Sequence, residues 1–414
     1  MTLSNLFSHR SFVYSLCFLA FTIPLYIKLN SVAIIIAAAV GLGYFIFNRE
    51  EWKAKKKNYI PLLLFGGLYL GAVVGLLNSS SAPPALFDLE QKLSWLIFPF
   101  IFFLGSQPSR KEVGWIILSF ISSLTLVSLV SMFTEGFQIL TGAPAWKGWW
   151  GSPLPIDRIY LGTYLCFAMM ALCFLYLMQA SGKKKIIFSI WIILLLVALF
   201  NTLAKTSLTT VLALFLVFGF RFLYKRNRCL LGGAAILSII ALALFIKSNK
   251  GSMMVNAILY QKAIDSTETN HLLSDSFNAR TLTWQCAIDV LSSANHWFMG
   301  IGTGDAQLAL DDCYYANKLK ITTPYFLEAR LNPHNEYFSL WLNYGLLFLI
   351  LFLFQLIYYL SLFYRQALML GISFIVIIVF SCLTESFLET QKGIVFYAFF
   401  CSLLPFASPT NPKC

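Results

Sequence analysis

His334 stands in the run Asn332-Pro333-His334-Asn335-Glu336-Tyr337, where the chain's long polar stretch from Gly251 to Pro333 gives way to apolar sequence. Imidazole titrates near neutrality, so a histidine there can take a proton from a hydroxyl. The same run also reads as a helix start, with Asn332 as cap, Pro333 presetting the first turn and Glu336 suited to the helix dipole. Cap and catalyst are both open from composition. Three cations fall in comparable places: Arg280 in Asn278-Ala279-Arg280-Thr281-Leu282-Thr283-Trp284, Lys205 in Leu203-Ala204-Lys205-Thr206-Ser207, and Arg158 directly after Asp157. Plainer readings are a solvated arginine, a lysine snorkelling to headgroups and an arginine paired with its neighbouring carboxylate. Taken together they have a chemistry. Guanidinium and ammonium groups hold phosphate oxygens. An imidazole beside a bound diphosphate can deprotonate an attacking hydroxyl while the cations stabilise the departing charge.

The elements that position these groups must be membrane helices. Of 414 residues 58% are hydrophobic and 12% charged, against about 25% charged in soluble domains; mean hydropathy is +0.74. A spanning helix takes about 20 apolar residues. The sequence offers spans at 11–27, 31–47, 59–77, 91–105, 113–133, 159–180, 186–203, 207–222, 229–247, 335–359, 366–383 and 393–407. The first apolar run lacks a small-residue cleavage site and is expected to remain as a helix. Lysine and arginine gather in alternate hinges (Arg49 to Lys57, Arg110 and Lys111, Lys183 to Lys185, Arg221 to Arg228, Arg365), which assigns those hinges and both termini to the cytoplasm. Of the 18 acidic residues, all but Glu50, Glu51 and Glu112 then lie outside. Topology thus accounts for the net charge of +12, and nucleic acid is set aside.

Three outer hinges matter: 134–158, 201–207 and 248–334. The first carries Trp146, Trp149 and Trp150, an aromatic belt or a sugar-stacking platform. Helical periodicity within the long loop is expected over 253–264 and 278–291, with Phe277, Leu282, Ile288 and Leu291 on one face. Gly300-Ile301-Gly302-Thr303-Gly304 reads as a flexible turn that folds the loop back, since no βαβ context supports a nucleotide site. Cys286 and Cys313 share the loop; whether they pair is open. The outer acids look dispersed, so no metal site is expected. A transporter would place ionisable groups near mid-membrane, often within repeats; neither feature is visible.

This arrangement resembles the O-antigen ligase and O-antigen polymerase superfamily of bacterial envelope glycosyltransferases. The family's motifs find counterparts in His334-Asn335-Glu336-Tyr337, in Asn343-Tyr344-Gly345-Leu346, in Arg280 ahead of Trp284, and in Gly300-Ile301-Gly302. Where the family's outer hairpin ends in Ser-Arg or Thr-Arg, this chain has Lys205 followed by Thr206 and Ser207, which preserves the charge but not a bidentate contact. The resemblance implies a GT-C-like, all-α polytopic membrane protein of about twelve helices: 1–247 holding helices 1–9, a partly helical periplasmic loop at 248–334, and 335–414 holding helices 10–12. It implies transfer of a glycan from an undecaprenyl-diphosphate-linked donor to a hydroxyl of lipid A–core oligosaccharide in the bacterial inner membrane. His334 would be the general base, Arg280, Lys205 and Arg158 would hold the diphosphate, and Asn335 and Glu336 would support them, with no cofactor or metal. Polymerases of the superfamily use another lipid-linked repeat as acceptor, and one branch glycosylates protein Ser or Thr.

Overall fold

The computed structural model describes residues 7–54, 58–140, 157–202, 204–226, 276–293, 296–316 and 331–407. Among them the fold is helical and without strands. The helices are α1 (His9–Thr22), α2 (Ile27–Phe47), α3 (Arg49–Ala54), α4 (Ile60–Val74), α5 (Ala82–Lys92), α6 (Ser94–Leu104), α7 (Arg110–Leu140) and α8 (Arg158–Ala171). They continue with α9 (Lys183–Asn201), α10 (Lys205–Arg226), α11 (Ser276–Ser293), α12 (Ala306–Ala316), α13 (Glu336–Tyr344), α14 (Leu346–Arg365), α15 (Met369–Thr384) and α16 (Gln391–Leu403). Six stretches among the described residues are long and apolar enough to cross a membrane, and 205–218, 369–384 and 391–407 are shorter apolar helices. The expected span at 229–247, the expected loop helix at 253–264 and Trp146, Trp149 and Trp150 lie outside the described residues.

Two compact units are drawn from the chain, one from Met1–Leu208 with Thr283–Cys414 and one from Thr209–Leu282. The second unit, as far as it is described, consists of α10 from Thr209 onward and the first turns of α11. The first is built around aromatic rings. Phe120 on α7, Tyr164 and Phe167 on α8, Phe374 on α15 and Phe396 and Phe400 on α16 are all fully buried. Their centroids approach to 4.4 Å (Phe167–Phe400) and 4.5 Å (Tyr164–Phe396), spacings at which rings add to simple area burial.

Two expected spans are broken. The span at 91–105 divides at Leu93: α5 brings an amphipathic turn with Asp88 and Lys92 to the head of the apolar α6. The span at 335–359 divides at Gly345, whose φ of 84° and ψ of 178° only glycine adopts readily. The cause is tertiary. A Cβ on Gly345 would stand 2.0 Å from the Phe298 carbonyl oxygen, and one on Gly300 would stand 2.6 Å from Gly345 N. The Gly300–Gly304 turn is therefore not free. Ile301 N donates to Leu342 O (2.7 Å), Gly302 N to Asn343 O (3.2 Å) and Thr303 N to Gly75 O (3.2 Å). It folds the loop back, as its glycines imply, but pinned along its length.

Below this turn, α11 from Thr283 onward and α12 form a small subdomain. Cys286, Ala287, Leu291, Ala306, Leu310, Tyr314 and Leu342 share its core, and a disulfide joins Cys286 to Cys313. The buried face of α11 is thus Thr283, Cys286, Ala287 and Leu291. Ile288, expected on that face, is exposed, and the side chains of Phe277 and Leu282 lie outside the described residues.

Candidate functional site

The approach to His334 is gripped from two helices. Leu331 O accepts from Tyr314 Oη (3.1 Å) and Gln307 Nε2 (3.3 Å) on α12. Pro333 O accepts from Trp284 Nε1 (2.8 Å) and Thr283 Oγ1 (3.3 Å) on α11. Between these anchors Asn332 Oδ1 accepts from His334 N at 2.9 Å, an Asx turn. The turn holds His334 at φ 47°, a left-handed conformation that opposes an L side chain by about 1–2 kcal/mol. Helix α13 begins only after it. Asn335 is the N-cap, accepting from Tyr337 N (3.0 Å) and Phe338 N (3.2 Å). The expectation that Asn332 caps and Pro333 enters the first turn is therefore corrected: Asn332 bends the chain so that the histidine precedes the helix.

His334 Nδ1 lies 2.8 Å from Glu385 Oε2, just past the end of α15. An ionised carboxylate can only accept, so Nδ1–H donates to it, and in a neutral ring the lone pair is on Nε2. The ring is half-buried, and Asn335 Nδ2 donates to Leu383 O (3.3 Å), tying the same backbone to α15. The contact selects one orientation of the imidazole, with Nδ1 turned to Glu385. Nothing in the sequence links Glu385 to His334 beyond its place in an outer hinge.

Among the described residues three of the acids expected to be dispersed, Asp88, Glu336 and Glu389, gather around Lys92. Glu336 is fully buried and its Oε2 accepts from Leu388 N at 2.7 Å. Lys92, also fully buried, pairs with Asp88, lies 3.8 Å from Glu389 and packs on the Tyr344 ring at 5.3 Å. Tyr344 Oη donates to Asp88. Burial pushes the Glu389 carboxyl above its ordinary range, with Lys92 pulling the other way. Glu336 thus serves as an internal brace between α13 and the turn Phe387–Glu389. Among the described residues no group of three or more His, Cys, Asp and Glu side chains is arranged to hold a metal ion.

Two of the expected cations sit on elements that touch this region. Arg158 opens α8, which Asp157 caps by accepting from Ile159 N (2.8 Å). Two residues on, Tyr160 Oη donates to Phe387 O (3.4 Å) and its ring lies 5.1 Å from that of Phe387. Lys205 is exposed at the start of α10. Its turn lies on α8, where Cys166 Sγ donates to Ser207 O (3.1 Å) and a Cβ on Gly162 would meet Ser207 Oγ at 2.6 Å. The start of α8 therefore links the Lys205 turn to the segment running from Glu385 to Glu389. Arg280 lies on α11, one turn before Trp284.

Six stretches among the described residues that are long and apolar enough to cross a membrane fit a multi-pass membrane protein. Residues 190–353 match the family model for O-antigen ligase. The match covers α9 to α13 and the start of α14, including Lys205, Arg280 and His334, and supports membership of the O-antigen ligase superfamily, which is made of ligase- and polymerase-type glycosyltransferases. No curated protein matches the chain.

Proposed function

We propose that the protein is an O-antigen ligase-type glycosyltransferase, moving a glycan from undecaprenyl diphosphate to a hydroxyl of lipid A–core oligosaccharide at the periplasmic face of the inner membrane. The observation that carries this reading is the His334–Glu385 pair, which leaves Nε2 free to act as a base. In the proposed step the acceptor hydroxyl gives its proton to His334 Nε2 as its oxygen attacks the anomeric carbon opposite the diphosphate. The bond between that carbon and the diphosphate oxygen breaks, its electron pair leaves with the diphosphate, and the configuration inverts. Arg280 and Lys205, assisted by Arg158, neutralise the departing charge, so the step needs no metal ion. Asn335 and Glu336 support the site by fixing the start of α13.

The test is attachment of glycan to lipid A–core by His334→Ala protein that inserts normally. Loss of attachment with accumulation of undecaprenyl-linked chains is expected. Wild-type attachment would refute the role of the histidine. A mutant that instead leaves single repeats on the core would redirect the reading to a polymerase.

A further inference from the structure

Beside the His334 approach lies a cavity of about 180 Å³ whose polar lining comes from four elements. Asp88 belongs to α5, Gln307 to α12, Ser339 and Asn343 to α13 and Glu389 to the turn Phe387–Glu389, while Asn332 borders it two residues before His334. The lining offers carboxylate, amide and hydroxyl groups, the mixture that satisfies a ligand carrying many hydroxyls, each both donor and acceptor. Its charge excludes another candidate. Among the described residues that line it there is no arginine or lysine, so the space offers a diphosphate no cation, and the donor's anionic group is assigned to Lys205, Arg280 and Arg158. A bare cation is also poorly suited, because Lys92 already stands against both acids. One oxygen makes the site unfinished: Glu389 Oε1 is buried and has no hydrogen-bond partner, a state that a ligand hydroxyl relieves.

We propose that this cavity seats the acceptor, holding the sugar ring whose hydroxyl His334 deprotonates. Its border at Asn332 and Pro333, the two residues before His334, sets the space beside the segment that carries the base. The assignment rests on the glycosyltransferase reading, and it divides the two substrates by charge: the anionic donor on the cations, the neutral acceptor between the acids.

The experiment uses purified full-length protein in detergent, an undecaprenyl-diphosphate-linked glycan as donor and lipid A–core as acceptor. Glu389→Gln keeps the side-chain volume, and Gln307→Ala leaves the buried lysine network untouched. Each of these two is expected to raise the acceptor KM about tenfold, as for the loss of one or two hydrogen bonds, with donor KM within about twofold of wild type. Because Gln307 also holds Leu331 O, Tyr314→Phe, which removes the other bond to that carbonyl outside the cavity, is the control, and an equal rise in acceptor KM there overturns the proposal. An unchanged acceptor KM in both variants, or a rise in donor KM alone, overturns the proposal. Equilibrium binding of lipid A–core to His334→Ala protein separates the two ideas. Binding that survives His334→Ala but weakens in Glu389→Gln and Gln307→Ala supports the cavity even if the base assignment fails. Binding equal to wild type in both cavity variants removes the cavity even if the base assignment stands. A Ser/Thr peptide whose KM rises in these variants while that of lipid A–core does not would also overturn the sugar assignment.

Discussion

Glu385 Oε2 stands 2.8 Å from His334 Nδ1 across 51 residues of chain, so the two groups act as one unit. His334→Ala is expected to lower turnover by about 10²–10⁴-fold, the usual worth of a positioned base. Glu385→Ala, which leaves the imidazole free to change tautomer, is expected to lower it at least about tenfold. Groups that work together do not lose activity independently. The double variant should therefore be no slower than His334→Ala alone in initial-rate measurements of glycan transfer. Multiplying effects would show that the carboxylate acts elsewhere.

Gly345 is a second point at which the site depends on close contact. Gly345→Ala should destabilise by more than about 2 kcal/mol, because it adds a Cβ against the Phe298 carbonyl in a conformation that alanine resists. Gly182 is the internal control: its φ is 53°, but nothing lies within 4 Å of its would-be Cβ. Gly182→Ala should cost less than Gly345→Ala, about 1–3 kcal/mol for backbone conformation alone. Thermal melting of the two variants in detergent makes the comparison. Equal losses would mean that Phe298 does not press on Gly345.

Much of this site was legible in the residues. The change from polar to apolar sequence at His334 located the histidine, and the periodicity around Trp284 yielded a helix at Ser276–Ser293. What could not be read depends on contacts between distant segments. Glu385 has no local signal, since its partner lies three helices back along the chain. Lys92 reads as an ordinary residue at the head of an apolar run, and its burial follows from Asp88 and Glu389 meeting there. Asn332 and Asn335 both suit a cap; the grip of Trp284 and Tyr314 on the preceding carbonyls accompanies the choice of Asn335. The break at Gly345 escaped because apolar helices tolerate glycine, and only the approach of Phe298 and Gly300 reveals a turn.

The disulfide between Cys286 and Cys313 closes a 27-residue separation and joins α11, whose Trp284 holds Pro333, to α12, whose Tyr314 holds Leu331. Cys313→Ser is expected to lower stability by about 2–5 kcal/mol. Because both anchors of the His334 approach depend on this pairing, turnover should fall as well. Dithiothreitol should bring wild type to the melting temperature of Cys313→Ser and leave the variant unchanged. A wild type indifferent to reductant would remove the disulfide from the account of the site.

Lys92 has the most confined charge in the region. It is fully buried, paired with Asp88, 3.8 Å from Glu389 and set against the rings of Tyr344 and Trp95 at 5.3 and 5.8 Å. Replacing it with methionine keeps most of the volume but strands two carboxylates, and breaking such a buried pair from one side costs about 3–5 kcal/mol. Neutralising the stranded partner should return part of that loss. Asp88→Asn added to Lys92→Met is therefore expected to melt above Lys92→Met alone, with a coupling of about 0.5–3 kcal/mol. Were the two substitutions simply additive in thermal melts, Lys92 and Asp88 would not be coupled beneath Tyr344 at the end of α13.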